Sequence, residues 1–112
     1  MASASQSGFT YEVLTRHDSV FGKITNIKCH GRLTSASSEE IKALVKPLLD
    51  EGGRTVMDLA DLEFLDSSGL GVLVGLKVTA LKKGLCRFEL DNLNTRVKDL
   101  LSLANLTQLF AK

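Results

Sequence analysis

Tryptophan is absent from this 112-residue chain, proline occurs once, cysteine and histidine twice each, and the aromatic set is one tyrosine and five phenylalanines. So few rings leave no platform on which bases or sugar rings stack. An excess of charge is missing too: 14 Lys and Arg against 13 Asp and Glu give a formal net charge of +1. The cations are scattered rather than gathered into a stripe, which argues against direct nucleic-acid binding through the phosphate backbone. The longest uncharged run of the central region, Ser67 to Leu76, is about half the roughly 20 residues that a membrane-spanning helix needs, so no membrane insertion is expected. Residues 1–8 are small and polar and lack the basic start and apolar core of a secretory signal. They read as a flexible tail ahead of a single domain over residues 9–112. Cys29 and Cys86 belong to no Cys-x-x-Cys pair and no Cys/His ligand spacing, and each sits in an apolar alternation. Both read as buried free thiols of a reducing cytoplasm. Cys29 and His30 are adjacent, and adjacent strand residues point to opposite faces, so they cannot converge on one ion. No metal and no cofactor is expected.

The pattern changes period along the chain. Phe9 to Leu14 alternates as a first strand, with a turn near His17 and Asp18. Ile24 to Arg32 predicts a second strand, with Thr25, Ile27 and Cys29 on one face and Asn26, Lys28 and His30 on the other, ended by Gly31. Ser37 and Glu40 have the spacing of a capping box, and Ile41, Leu44, Val45, Leu48 and Leu49 repeat at helical intervals. Pro47 predicts a kinked last turn or a shorter helix, and Gly52 and Gly53 stop it. Arg54 to Leu59 and Leu85 to Leu90 read as strands, Leu70 to Lys83 as a helix closed by Gly84, and Asn94 as the cap of a third helix burying Val97, Leu100 and Leu101. Strand–helix alternation implies parallel strands with right-handed crossovers, and the first strand, joined by a tight turn, runs antiparallel. Because the strands alternate with polar residues, the sheet should be covered on one side. The expected fold is α/β with two layers, a mostly parallel sheet of four to five strands and helices mainly on one face.

One segment departs from ordinary patterning. Asp58, Asp61, Glu63 and Asp66 place four carboxylates in nine residues without a base. Asp66, Ser67 and Ser68 then stand where a helix begins, where side-chain oxygens cap free N–H groups and the dipole favours negative charge. Leu70 to Leu76 is apolar on nearly every side, with Gly71 and Gly75 interspersed. Three sides of a helix cannot all reach one sheet, so Leu70, Val72 and Val74 are expected to include partner-facing residues. Gly69, Gly71 and Gly75 do not make a dinucleotide loop, since the tight turn after a strand and a second half are missing. No Gly-x-Ser-x-Gly elbow is present, and no Ser-His-Asp triad is placed. A phosphoaspartate receiver centred on Asp58 lacks the acidic pair after an earlier parallel strand.

The run Val56-Met57-Asp58-Leu59, then Phe64-Leu65-Asp66-Ser67-Ser68-Gly69-Leu70-Gly71, with Gly31-Arg32-Leu33 before it and Lys82-Lys83-Gly84 after it, resembles a STAS domain of the bacterial anti-sigma factor antagonist type. The resemblance covers roughly residues 9 to 110. It implies a STAS-like fold and a non-enzymatic, phosphorylation-controlled binding module of the cytoplasm. The resemblance implies that, unmodified, it would sequester an anti-sigma factor serine kinase, that phosphorylated on Ser67 it would release the kinase, and that a PP2C-type phosphatase would reset it. Asp66, Ser68, Gly69 and Thr34 would surround the phosphosite, and Asp66, Ser67, Leu70, Val72 and Val74 would meet the partner. Where the family often carries an acidic residue after Gly-x-Leu, this chain has Thr34. The alternative within the resemblance is an unmodified accessory or scaffold subunit of a stress-signalling or lipid-transport assembly.

Overall fold

The computed structural model describes residues 2–4 and 8–110. One mixed sheet of strand order β1-β2-β3-β4-β5 is formed by β1 (Ala2–Ala4), β2 (Phe9–Asp18), β3 (Gly22–Leu33), β4 (Gly53–Leu65) and β5 (Cys86–Asp91). Helices α1 (Ser38–Glu51), α2 (Ser67–Lys83) and α3 (Thr95–Leu103) fill the connections and the carboxyl-terminal side, with short 3-10 turns at Ser35–Ser37 and Gln108–Phe110. β3, β4 and β5 are mutually parallel, and β2 is antiparallel to β3. The four long strands therefore make the mostly parallel sheet expected from the alternation of elements. Where the sequence reads only a tail, Ala2–Ala4 pair with Glu12, Tyr11 and Thr10 as a short edge strand; residues 1 and 5–7 of that tail lie outside the described residues.

Alternation decides the layering. Thr25, Ile27 and Cys29 of β3, Met57 and Leu59 of β4, and Phe88 and Leu90 of β5 are buried with Ile41, Val45 and Leu49 of α1 and Leu70, Leu73 and Leu76 of α2. Each fully buried side chain of this kind contributes roughly 1.5–3 kcal/mol. Lys28 and Leu14 stand on the opposite face, which carries no helix, and are exposed. At the hairpin end that face is nevertheless closed: the Arg54 and Arg87 guanidinium groups each lie 5.4 Å from the Phe21 ring, both pair with the buried Glu89, and Ile24 and Val56 are buried there.

Several boundaries differ from the sequence pattern for physical reasons. β2 runs to Asp18, and the turn falls at residues 19–21, where Asp18 Oδ1 accepts from the N–H groups of Val20 (2.7 Å) and Phe21 (3.1 Å). Those two bonds hold the Asp18 carboxyl below its usual range. Gly31 does not end β3. Its φ of +85° carries a register shift, and a Cβ there would strike the Gly8 carbonyl oxygen, so the strand passes through it to Leu33. Ser37 makes no side-chain cap to α1; the capping box belongs instead to Thr34 and Ser37 around the 3-10 turn. α1 keeps its full length through Pro47 to the Gly52 cap. β4 extends to Leu65, well past its last β5 partner at Asp58.

Candidate functional site

The overhang of β4 delivers Asp66 and α2 to the carboxyl-terminal end of the parallel strands, where open α/β sheets gather their sites. Asp66 is extended (φ −101°, ψ −177°), and its Oδ1 accepts from Gly69 N at 2.8 Å. Its own N–H donates to the Leu33 carbonyl at 3.3 Å, which ties the start of α2 to the end of β3. That approach is close enough to require glycine at 69, because a Cβ would be driven into the Leu33 carbonyl oxygen. Thr34 follows directly: its Oγ1 accepts from Ala36 N (3.2 Å), and its N–H donates to Ser37 Oγ (3.1 Å), which itself donates to Arg32 O. Ser67 and Ser68 form the first turn of α2 and are exposed. Thr34, Asp66, Ser67, Ser68 and Gly69 thus come together at one end of the sheet, with Asp66 turned inward as a cap and the serines outward at the positive end of the helix dipole.

Leu70 and Val72 correct the expectation of a partner-facing surface. They are only 6% and 7% exposed and belong to the core. Val74 is half-buried against it. The extra apolar sides of α2 are covered by α1, which packs beside it, rather than left for another protein. The exposed continuation of Ser67 along the helix is instead Gly71 and Gly75, one and two turns on, and a Cβ at either would meet nothing within 4 Å. Their signal in the sequence is the spacing of four that they share with Ser67.

One acid of the segment, Asp61, meets bases from the neighbouring strand. Asp61 lies 3.6 Å from Lys28 Nζ and 3.5 Å from His30 Nδ1, and His30 Nε2 is 3.4 Å from Glu12, all on the open face of the sheet. Asp58 Oδ1 accepts from Ala60 N at 3.0 Å. Beside the helix start, Arg32 stacks on Phe64 (4.6 Å), and a cleft of about 340 Å³ runs between the β4 overhang and α3, lined by Phe64, Leu65, Val97, Leu100 and Leu103. Cys29 is fully buried and points away from His30, and both cysteines are free. Among the described residues no group of three or more His, Cys, Asp or Glu is arranged to hold a metal, and no helix is long and apolar enough to cross a membrane.

A one-sided sheet whose helix layer opens on a capped, serine-bearing helix start defines a small α/β domain with one distinctive end. The chain belongs to the STAS-domain family: residues 22–111 match the family model described as Mlab, STAS domain. Its fold is that of the Bacillus anti-sigma factor antagonist SpoIIAA. In the unphosphorylated form that protein is 20% identical, with a TM-score of 0.68 over 88% of this chain and 84% of that one. In the phosphorylated form the TM-score is 0.63, at 23% identity, over 90% and 86%. The Thermotoga maritima protein TM1081 is 26% identical, with a TM-score of 0.69 over 88% of this chain and 74% of that one. The murine anion transporter Slc26a9 carries the same fold, 17% identical with a TM-score of 0.64, over 83% of this chain and 18% of the transporter.

Proposed function

We propose that the chain is an anti-sigma factor antagonist, a cytoplasmic binding module switched by phosphorylation of Ser67. The observation that carries this reading is the exposed Ser67 hydroxyl at the first position of α2, directly after a carboxylate whose Oδ1 is already engaged by Gly69 N. A serine there is open to a kinase, and the free N–H groups and dipole of the helix start can stabilise the added charge. Unmodified, Asp66, Ser67 and the smooth surface of Gly71 and Gly75 dock on an anti-sigma factor serine kinase; the phosphorylated form lets go, and a PP2C-type phosphatase restores it. The domain acts by binding, not by turnover. Intact-mass measurement of the protein from its own cells tests this. A fraction heavier by about 80 Da, acid-stable and abolished by Ser67→Ala, is expected.

Membership of the STAS-domain family leaves room for the second reading that the resemblance implies, an unmodified STAS subunit docked on a lipid-transport assembly. It predicts no added mass in any growth condition and co-purification with a membrane transporter, and that pair of results replaces the first reading with the second.

A further inference from the structure

We propose that the outer edge of β2 is a homodimer edge, on which two copies of the chain pair antiparallel about Leu14. β2 pairs with β3 along all ten of its residues without a register shift. Of the devices that blunt an edge strand it contains no proline, no bulge and no lysine, and its charged residues are Glu12, Arg16 and Asp18. Among the described residues β1 covers that edge opposite Thr10, Tyr11 and Glu12. From Val13 to Asp18 no strand among the described residues pairs with it.

The occupant is read from the strand itself. Glu12-Val13-Leu14-Thr15-Arg16 is self-complementary about its centre. A twofold axis through Leu14 sets Glu12 of one copy opposite Arg16 of the other, twice, with Val13 opposite Thr15 and Leu14 opposite itself. Glu12, Leu14 and Arg16 share the open face of the sheet and are exposed, Leu14 by 68%. Opposed charges and a central apolar pair are the arrangement that stabilises neighbouring strands, and an isologous pair of this kind is the commonest oligomer symmetry. Neighbouring registers lose it: an axis through Thr15 sets Glu12 against Asp18, and one through Val13 leaves Arg16 opposite Thr10. Because β2 continues to Asp18, the same axis sets His17 opposite Tyr11 and Asp18 opposite Thr10, so the whole of β1 has to leave the edge, and the dimer is expected to form with rising concentration and to weaken with salt.

Leu14→Cys in the full chain tests the axis. Directly opposed antiparallel residues have Cα atoms about 4.5–5.5 Å apart, inside the roughly 4.4–6.8 Å that a disulfide spans, and Cys29 and Cys86 are both buried. Under mild oxidation Leu14→Cys should give a covalent dimer of twice 12.1 kDa, and Val20→Cys, 80% exposed in the turn, should not. Equal cross-linking of the two overturns the proposal. Sedimentation supplies the second arm: Glu12→Arg and Arg16→Glu should each lower the dimer fraction, and the two together should restore it. A wild-type chain that stays monomeric at every concentration, or a double variant no better than the singles, overturns it as well.

Discussion

Individual glycines of α2 show how much of a residue's meaning lies in its surroundings. Gly69 and Gly71 are two positions apart, yet the first is pressed against the Leu33 carbonyl and the second faces open space. Gly69→Ala should therefore destabilise the domain by about 1–3 kcal/mol through overpacking, while Gly71→Ala should stabilise it by roughly 0.5–1 kcal/mol by removing helix-interior glycine. Denaturant melts of the two variants check the opposite signs. Cys29 carries a pH prediction. Burial, with the Asp58 carboxylate adding to it, pushes its thiol up to about 12 from 9.0. Below 9.0 the thiol is protonated in both folded and unfolded chains and costs nothing. Above 9.0 the unfolded thiol ionises first, so stability is lost as pH rises toward about 12. Thermal melts across that range should fall less steeply for Cys29→Ala than for the wild type.

At the level of elements, side chains at helix starts do more than end hydrogen-bond ladders. Asn94 caps α3 by accepting from Val97 N at 3.0 Å, and its Nδ2 donates to the carbonyls of Leu62 (2.8 Å) and Leu59 (3.3 Å) on the β4 overhang. Arg96 adds a bond to the Glu63 carbonyl at 2.6 Å. The overhang lacks a β5 partner beyond Asp58, and these bonds satisfy its carbonyls in place of a neighbouring strand. Asn94→Ala should cost about 1–2 kcal/mol in the cap alone. Asn94→Ser, which keeps a capping oxygen but has no amide to reach β4, should fall between it and the wild type. Amide exchange at the first turn of α3 and along residues 59–65 separates the two effects: only the alanine variant should loosen both.

For the whole molecule, the proposed phosphorylation of Ser67 is expected to leave the fold standing. A phosphate there adds about −1.5 to −2 charges at the positive end of α2, and Asp58 and Asp61 are turned to the open face with Lys28 and His30. The melting temperature of the phosphorylated protein should stay close to that of the unmodified form, while kinase affinity falls because the phosphate has to be desolvated in the interface. A hundredfold loss corresponds to about 2.8 kcal/mol. Melting and binding measured on the same samples distinguish this switch from one that works by unfolding. The sequence alone determined the starts and stops of the helices, at Asp66, Gly84, Asn94 and Gly52, and the buried face of β3, because capping and periodicity act within a few residues. It also marked Asp66 and Ser67 as unusual. The tertiary structure alone decided that Leu70 and Val72 belong to the core, since only the packing of α1 beside α2 covers them. It likewise turned an acidic stretch into strand, since Lys28 and His30 come from β3, and moved the capping box to Thr34, where the chain bends away from Leu33. Contacts between residues far apart in the chain leave no periodic trace in either segment.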